Sequence, residues 1–227
     1  LNIQRIDSDV LKKRSMLDSI LQRFTNGKID ILVGTQIISK GLDFDNVDLV
    51  GVINADYGMF MPDFRSGERT FQILSQVIGR AGRRSDQGSA VIQTYNPDNL
   101  NLQNAISGDF KKFYSLNLAE RNELSYPPFK RICRIIFSGT DLDQVKNISE
   151  YITDIFSKSQ KFEVLGPADA PIAKIKNEWR INSIIKIDKK YPLEFQKFIS
   201  TKLGTDYFNK SYKGVRIKLD VDPCNML

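Results

Sequence analysis

The sequence contains no histidine and only two cysteines, Cys133 and Cys224. Without histidine the Ser-His-Asp and Cys-His nucleophile arrangements are excluded, and four Cys/His ligands for a zinc ion cannot be assembled. Two thiols are also too few for a disulfide framework. No run of about 18 uninterrupted apolar residues occurs, and the first residues lack the basic, apolar and small-residue succession of a signal peptide. Neither a membrane span nor export is expected, which places the protein in the cytoplasm with no membrane partner. Its chemistry is left to carboxylates, Arg, Lys and hydroxyls.

What is present suits an ordered globular protein of one large domain or two ordinary ones: 227 residues, 41% hydrophobic, 10% aromatic and 26% charged. The net charge of +6 is unevenly placed. Residues 1–120 hold 14 Lys/Arg against 14 Asp/Glu, and residues 121–227 hold 19 against 13. The whole basic excess lies in the C-terminal half, which points to a polyanionic partner there, although solubility alone accounts for the same charge.

Val10, Met16, Leu17, Ile20, Leu21 and Phe24 fall near helical spacing, so one amphipathic helix is expected over 9–26, stopped by Asn26-Gly27. Ile29 to Val33 and Val47 to Ile53 read as buried parallel strands covered on both faces. A loop rich in Asp, Pro and Gly follows from Asp56 to Gly67, then a helix over Arg69 to Ile78 and a strand over Ala90 to Tyr95. This succession is an α/β layer. The helix expected over Asp109 to Leu124 ends before Tyr126-Pro127-Pro128, prolines that cannot continue it. A domain boundary is expected there, giving domains 1–124 and 125–227. Beyond it come strands at Arg131 to Ser138, at Phe162 to Leu165 leading through Gly166-Pro167 toward Ile172 to Ile175, at Arg180 to Ile187 and at Val215 to Val221. Helices over Asp141 to Ser157, capped by Thr140 or Asp141, and Pro192 to Leu203 complete a β-α-β-β-α-β order.

The sharpest motif is Gln76-Val77-Ile78-Gly79-Arg80-Ala81-Gly82-Arg83. A helical path stacks Gln76, Arg80 and Arg83 on one face, and the glycines let a polyphosphate approach for bidentate guanidinium contacts. Alone such a motif is more often a glycine-rich helix end with solvated arginines. Upstream, directly after a strand, stands Gly34-Thr35-Gln36-Ile37-Ile38-Ser39-Lys40-Gly41-Leu42-Asp43-Phe44. In isolation Thr35 suits a strand-end cap and Asp43 a turn. In the second half, Lys174, Lys176, Trp179, Arg180 and Lys186 set an aromatic among cations, which suits a base, an acidic tail, or simple packing of the indole.

Taken together, the two glycine-bearing segments resemble the fifth and sixth motifs of superfamily 2 helicases. Asn54-Ala55-Asp56, Pro62 to Gln72, Tyr126-Pro127-Pro128-Phe129 and Leu219-Asp220-Val221-Asp222-Pro223 narrow the resemblance to the PriA family of replication-restart helicases. It implies a second RecA-like lobe, a parallel sheet with helices, followed by a small α+β ferredoxin-like domain. It also implies roles. Thr35 and Gln36 would hold a DNA phosphate, Gly41 and Asp43 would lie at the nucleotide, and Gln76, Arg80 and Arg83 would stabilise charge on the transferred phosphoryl group. Lys174, Trp179 and Arg180 would bind DNA or the acidic tail of single-stranded DNA-binding protein. Glu178 and Asn182 stand where relatives can carry Arg and Gln, and Asp45 where they often carry Pro.

A G-x-x-x-x-G-K-[ST] loop does not occur, since Lys40 is followed by Gly41. The resemblance implies that this loop belongs to a first lobe upstream, with a cysteine-rich zinc insert. The expected activity is therefore that of a longer 3′–5′ DNA helicase, with ATP and magnesium in the full-length parent and zinc in the upstream insert. Forked DNA and other primosome proteins would be its partners. The chain alone would bind no cofactor or metal, would be inactive as an ATPase, and would otherwise act as a non-enzymatic DNA-binding or interaction module.

Overall fold

The computed structural model describes residues 1–34, 47–79, 88–204 and 212–226. They form two compact units: Leu1–Met61 with Arg65–Tyr114, and Pro62–Phe64 with Ser115–Leu227.

The first unit runs β1 (Ile3–Ile6), α1 (Ser8–Lys12), α2 (Arg14–Thr25), β2 (Ile31–Gly34), β3 (Leu49–Val52), α3 (Asp56–Met59), α4 (Ser66–Ile78), β4 (Ser89–Ile92) and α5 (Leu100–Ser107), and enters α6 (Phe110–Glu123). The single helix expected over 9–26 is two, broken at Lys13 with φ −109° and ψ 87°. Three consecutive cations, Lys12, Lys13 and Arg14, are exposed there, so no burial holds the turn together. On either side Val10 and Ile20 turn into one cluster with Ile6 and Ile29. The expected stop is present: Asn26 caps α2 and Gly27 takes φ +68°.

Strands β1 and β2 pair in parallel, as do β3 and β4. Coverage on both faces is corrected by their exposure, since Leu49 is 61% and Val91 59% exposed. The alternate residues Val52 and Ile92 pack on a cluster of Ala55, Phe71, Leu74, Leu102, Ala105 and Phe113. Helices α4, α5 and α6 thus bury one face of this pair, and the strands alternate as half-buried strands do.

The second unit contains β5 (Lys130–Gly139), α7 (Leu142–Ser157), β6 (Phe162–Ile175), β7 (Glu178–Asp188), α8 (Pro192–Lys202) and β8 (Arg216–Val221). The sheet order is β6-β7-β5-β8 with every neighbour antiparallel, the arrangement of a ferredoxin-like domain. Asp141 starts α7 by accepting from the amides of Asp143 and Gln144. The strand expected at 162–165 runs on through 172–175 as one strand, with register shifts between Leu165 and Ala168 and between Asp169 and Lys174. It turns back through Lys176 and Asn177, with φ 49° and 66°, the pair of left-handed residues that a tight two-residue hairpin requires. Odd-numbered residues Cys133, Ile135, Phe137, Ile181, Ile185 and Ile187 meet Val145, Ile152, Phe156 and Phe195 in the core. Along the edge, Asp220 and Asp222 of the closing segment pair with Arg134 and Arg131 of β5.

Candidate functional site

Of the motif residues, Thr35, Gln36, Gly41, Asp43, Arg80 and Arg83 lie outside the described residues. Their flanks are described. Strand β2 ends at Gly34, so Thr35 directly follows a parallel strand. Helix α4 buries Thr70, Phe71 and Leu74, and Phe71 stacks on Phe113 with centroids 4.1 Å apart. Gln76 is on its exposed side, near the C-terminal end. The helix closes at Ile78, where the amide of the capping Gly79 donates to the carbonyl of Ser75. The helix expected through Ile78 is present, and the stacking of Arg80 and Arg83 on the face of Gln76 falls beyond it, outside the described residues.

Asp56 lies in the same unit and is 6% exposed. Its carboxylate accepts from the Asn96 side chain, the Tyr95 amide and the Thr94 hydroxyl, each at 2.9 Å. The Asn96 hydrogen bond, followed by that of Tyr95, holds the carboxyl below its ordinary range. Asp56 thus staples the segment after β3 to the segment after β4. Asn54 adds a turn by accepting from the Tyr57 amide at 3.1 Å.

The signature segments Pro62–Phe64 and Tyr126–Pro128 meet inside the second unit. The rings of Phe64 and Tyr126 stack with centroids 5.2 Å apart and planes 9° apart. One cation lies over each ring: the Arg121 guanidinium 5.2 Å from Phe64 and the Lys186 ammonium 4.7 Å from Tyr126. Lys186 donates to Glu163 Oε1 and to the Leu124 carbonyl, both at 2.7 Å, and Lys130 donates to Glu163 Oε2 at 2.9 Å. Burial and the nearby negative charge of Glu163 push the Tyr126 hydroxyl upward. The Met226 amide donates to Asp63 at 3.3 Å.

The aromatic-cation cluster read from the sequence is divided by the strand. Lys174 pairs with Trp179 across the hairpin and places its ammonium 4.5 Å from the indole centroid. Arg180, the next residue on β7, points to the opposite face, because strand side chains alternate. Lys186 is withdrawn from the cluster altogether, at 4% exposure and with its ammonium bound to Glu163. Glu163, Arg121 and the stacked pair are what sequence reading missed. For Phe64 and Tyr126 the signal was that their segments carried the resemblance; Glu163 and Arg121 lie outside those segments.

Residues 1–85 match the helicase conserved C-terminal domain, and residues 122–224 match the primosomal protein N C-terminal domain. The first unit therefore carries the RecA-like lobe of an α/β architecture that continues into the antiparallel domain. The replication restart protein PriA of Borreliella burgdorferi is 41% identical over 230 residues, covering 99% of this chain and 33% of the relative. That of Bacillus subtilis is 37% identical over 227 residues, covering 98% and 28%. That of Treponema pallidum is 36% identical over 227 residues, covering 99% and 34%. The chain spans about a third of the length of these curated relatives.

Proposed function

Because this chain belongs to the PriA family, we propose that it serves as the second helicase lobe and C-terminal domain of an ATP-dependent 3′–5′ DNA helicase that recognises abandoned replication forks and starts primosome assembly. The observation that carries this reading is the order of the two matched domains, 1–85 and 122–224, along one chain. The functional boundary is set after Leu124, between domains 1–124 and 125–227.

ATP with magnesium, when bound between this lobe and a first lobe, supplies the phosphoryl group that is transferred. Arg80 and Arg83 would place guanidinium charge against the developing negative charge, and Gln76 would add an amide from the end of α4. Gly41 and Asp43 would line the nucleotide, while Thr35 and Gln36 would hold a DNA phosphate just past β2. Among the described residues no group of three or more metal-ligating side chains occurs. Zinc would belong to the cysteine-rich insert that the family resemblance implies upstream. In the second unit, Lys174 of β6 with its cross-strand neighbour Trp179 of β7, and Arg180 on the opposite face of β7, would meet DNA or the acidic tail of single-stranded DNA-binding protein. The site of action is the cytoplasm, where other primosome proteins join; among the described residues no helix is long and apolar enough to cross a membrane.

By itself the chain would then be a binding module, because arginine fingers act on a phosphoryl group that another lobe aligns. The test is turnover. This chain should not hydrolyse ATP above a blank, and in a longer protein that carries both lobes Arg80→Ala or Arg83→Ala should lower DNA-stimulated turnover by about 10²-fold or more. Normal turnover in both arginine variants would remove the finger assignment, and hydrolysis by this chain alone, lost in Arg80→Ala, would remove the half-site reading.

A further inference from the structure

Within the second unit, one side of α7 and the turn before β8 line a cavity of about 810 Å³, room for a small ligand or one unit of a polymer. Helix α7 supplies Gln144, Asn147, Ile148 and Tyr151, a single stripe at i, i+3, i+4 and i+7. Ile148 is buried, whereas Tyr151 is 54% exposed. The other wall is Tyr212, Lys213 and Gly214. Tyr212 and Val215 exchange backbone hydrogen bonds of 2.8 and 3.0 Å, closing a two-residue turn in which Lys213 and Gly214 take φ 46° and 79°. Lysine seldom adopts this left-handed form. Held in it, the Lys213 ammonium lies 5.6 Å from the centroid of the Tyr212 ring. A methyl group at Gly214 would come within 3.0 Å of Gln144 Oε1, so the absent side chain is what lets that carboxamide approach the turn.

We propose that this cavity holds one unpaired nucleotide of single-stranded DNA, with its base against Tyr151 and its phosphate on Lys213. The site rests on the helicase reading above and adds a contact to it. Exposed phenol rings give any base a face to stack on, and the Gln144 and Asn147 carboxamides carry donor and acceptor together, as base edges do. Among the described lining residues Lys213 is the one charge and Ile148 the one aliphatic side chain. A single phosphate is therefore served, and an apolar peptide anchor finds little to hold it. Asp143 and Glu150 stand exposed on the adjoining stripe of α7, on either side of Asn147. Their charge repels a second run of phosphates, which sets an unpaired strand above a duplex.

The experiment irradiates this chain with a short deoxythymidine oligonucleotide that carries one iodouracil, then maps the adducts by peptide mass spectrometry. They should fall on Tyr151 or Tyr212. In anisotropy titrations Tyr151→Ala should bind the single strand about fivefold or more weakly, the low end for losing one stacked base, while Tyr151→Phe binds as the parent. Binding of a blunt duplex should be unchanged in both. Lys213→Met should lower the slope of log affinity against log salt by about 0.7, one released counterion. Tyr151 and Lys213 are exposed, so these variants should melt with the parent; Asn147→Asp, which adds a carboxylate to the lining, is a further variant that should weaken single-strand binding alone. Parental single-strand binding in Tyr151→Ala, or an equal loss for duplex, would overturn the proposal. Adducts on Trp179 alone would overturn it too and leave DNA binding by the second unit intact. Protection of Tyr151 from nitration by an acidic peptide, but not by the oligonucleotide, would give the cavity to a protein tail and sink the nucleotide assignment. ATP turnover of the longer protein judges the helicase reading separately.

Discussion

Lys186 is bound to Glu163 at 2.7 Å across neighbouring strands of the second unit, and it is one of the few buried charged residues among the described residues, at 4% exposure. Register makes this possible, since Glu163 of β6 lies directly opposite Lys186 of β7. A buried ammonium without such a partner would be driven to lose its proton. The pair therefore takes one cation out of the basic excess of this half and uses it to hold Tyr126.

The pair has a pH signature. Burial alone would raise the Glu163 carboxyl, but hydrogen bonds from Lys186 and Lys130 outweigh it and leave the group below its ordinary value of 4.5. A carboxyl lowered by folding adds stability above its unfolded value and loses it as the pH falls through the folded one. Thermal melts should show this contribution in full above about pH 5 and losing ground below it, while Glu163→Gln should be less stable near neutrality with a smaller acid-side decline. An acid-side decline as steep in Glu163→Gln as in the parent would assign the pH dependence to other carboxyls.

Thiol chemistry should separate the two cysteines. Burial pushes the Cys133 thiol up to about 12, and its side chain lies in the core of the sheet, whereas Cys224 is exposed. At about pH 8 a disulfide reagent should modify Cys224 quickly and Cys133 only on unfolding. Rapid modification of both in the native chain would mean that β5 opens readily.

Asp56 should prove to be a local staple. Removing its carboxylate in Asp56→Ala leaves the Tyr95 amide and the Asn96 and Thr94 side chains without their acceptor. Amide hydrogen exchange should accelerate at residues 94–96 and at the start of α3, while β5 and β7 keep their protection. Unaltered exchange at Tyr95 would show that the staple is dispensable.

Opposite faces of β7 predict separable contributions to polyanion binding. If Lys174 and Trp179 act together, the double variant Lys174→Ala/Trp179→Ala should bind fork DNA no more weakly than Trp179→Ala, whereas adding Arg180→Ala should weaken binding independently. Affinity should fall with rising salt through counterion release. Coupling of Trp179 with Arg180 rather than with Lys174, measured by the same titrations, would contradict the face assignment.

Local chemistry made much of this fold legible before any coordinates. Asp141 as a cap, Gly27 as a stop and the β-α-β-β-α-β order each depend on a few neighbouring residues, and each is present. Helix α5 carried comparable signals, a capping Asn99 and a left-handed Gly108, but its short span of eight residues was passed over. The four residues of α3 have no period to detect. Lys186 sits in the run Ile184-Ile185-Lys186-Ile187 and reads as one of the cations around Trp179; its burial depends on Glu163, which only strand pairing supplies. The Phe64–Tyr126 stack is of the same kind, a contact between distant segments that leaves no trace in local spacing. The motif residues themselves were readable as chemistry, while their geometry falls on 35–46 and 80–87, outside the described residues.

The discontinuity of the second unit also bears on biosynthesis. Pro62–Phe64 leaves the ribosome well before Tyr126, Lys186 and Met226, its eventual company. The nascent chain must therefore carry a loose, aromatic-tipped loop until those later residues have been made, a site open to proteases and holdase chaperones in the meantime. Ribosome-arrested chains ending before β5 should be cut near Phe64 by chymotrypsin, and released full chains should resist; equal resistance in both would mean that the loop finds shelter earlier.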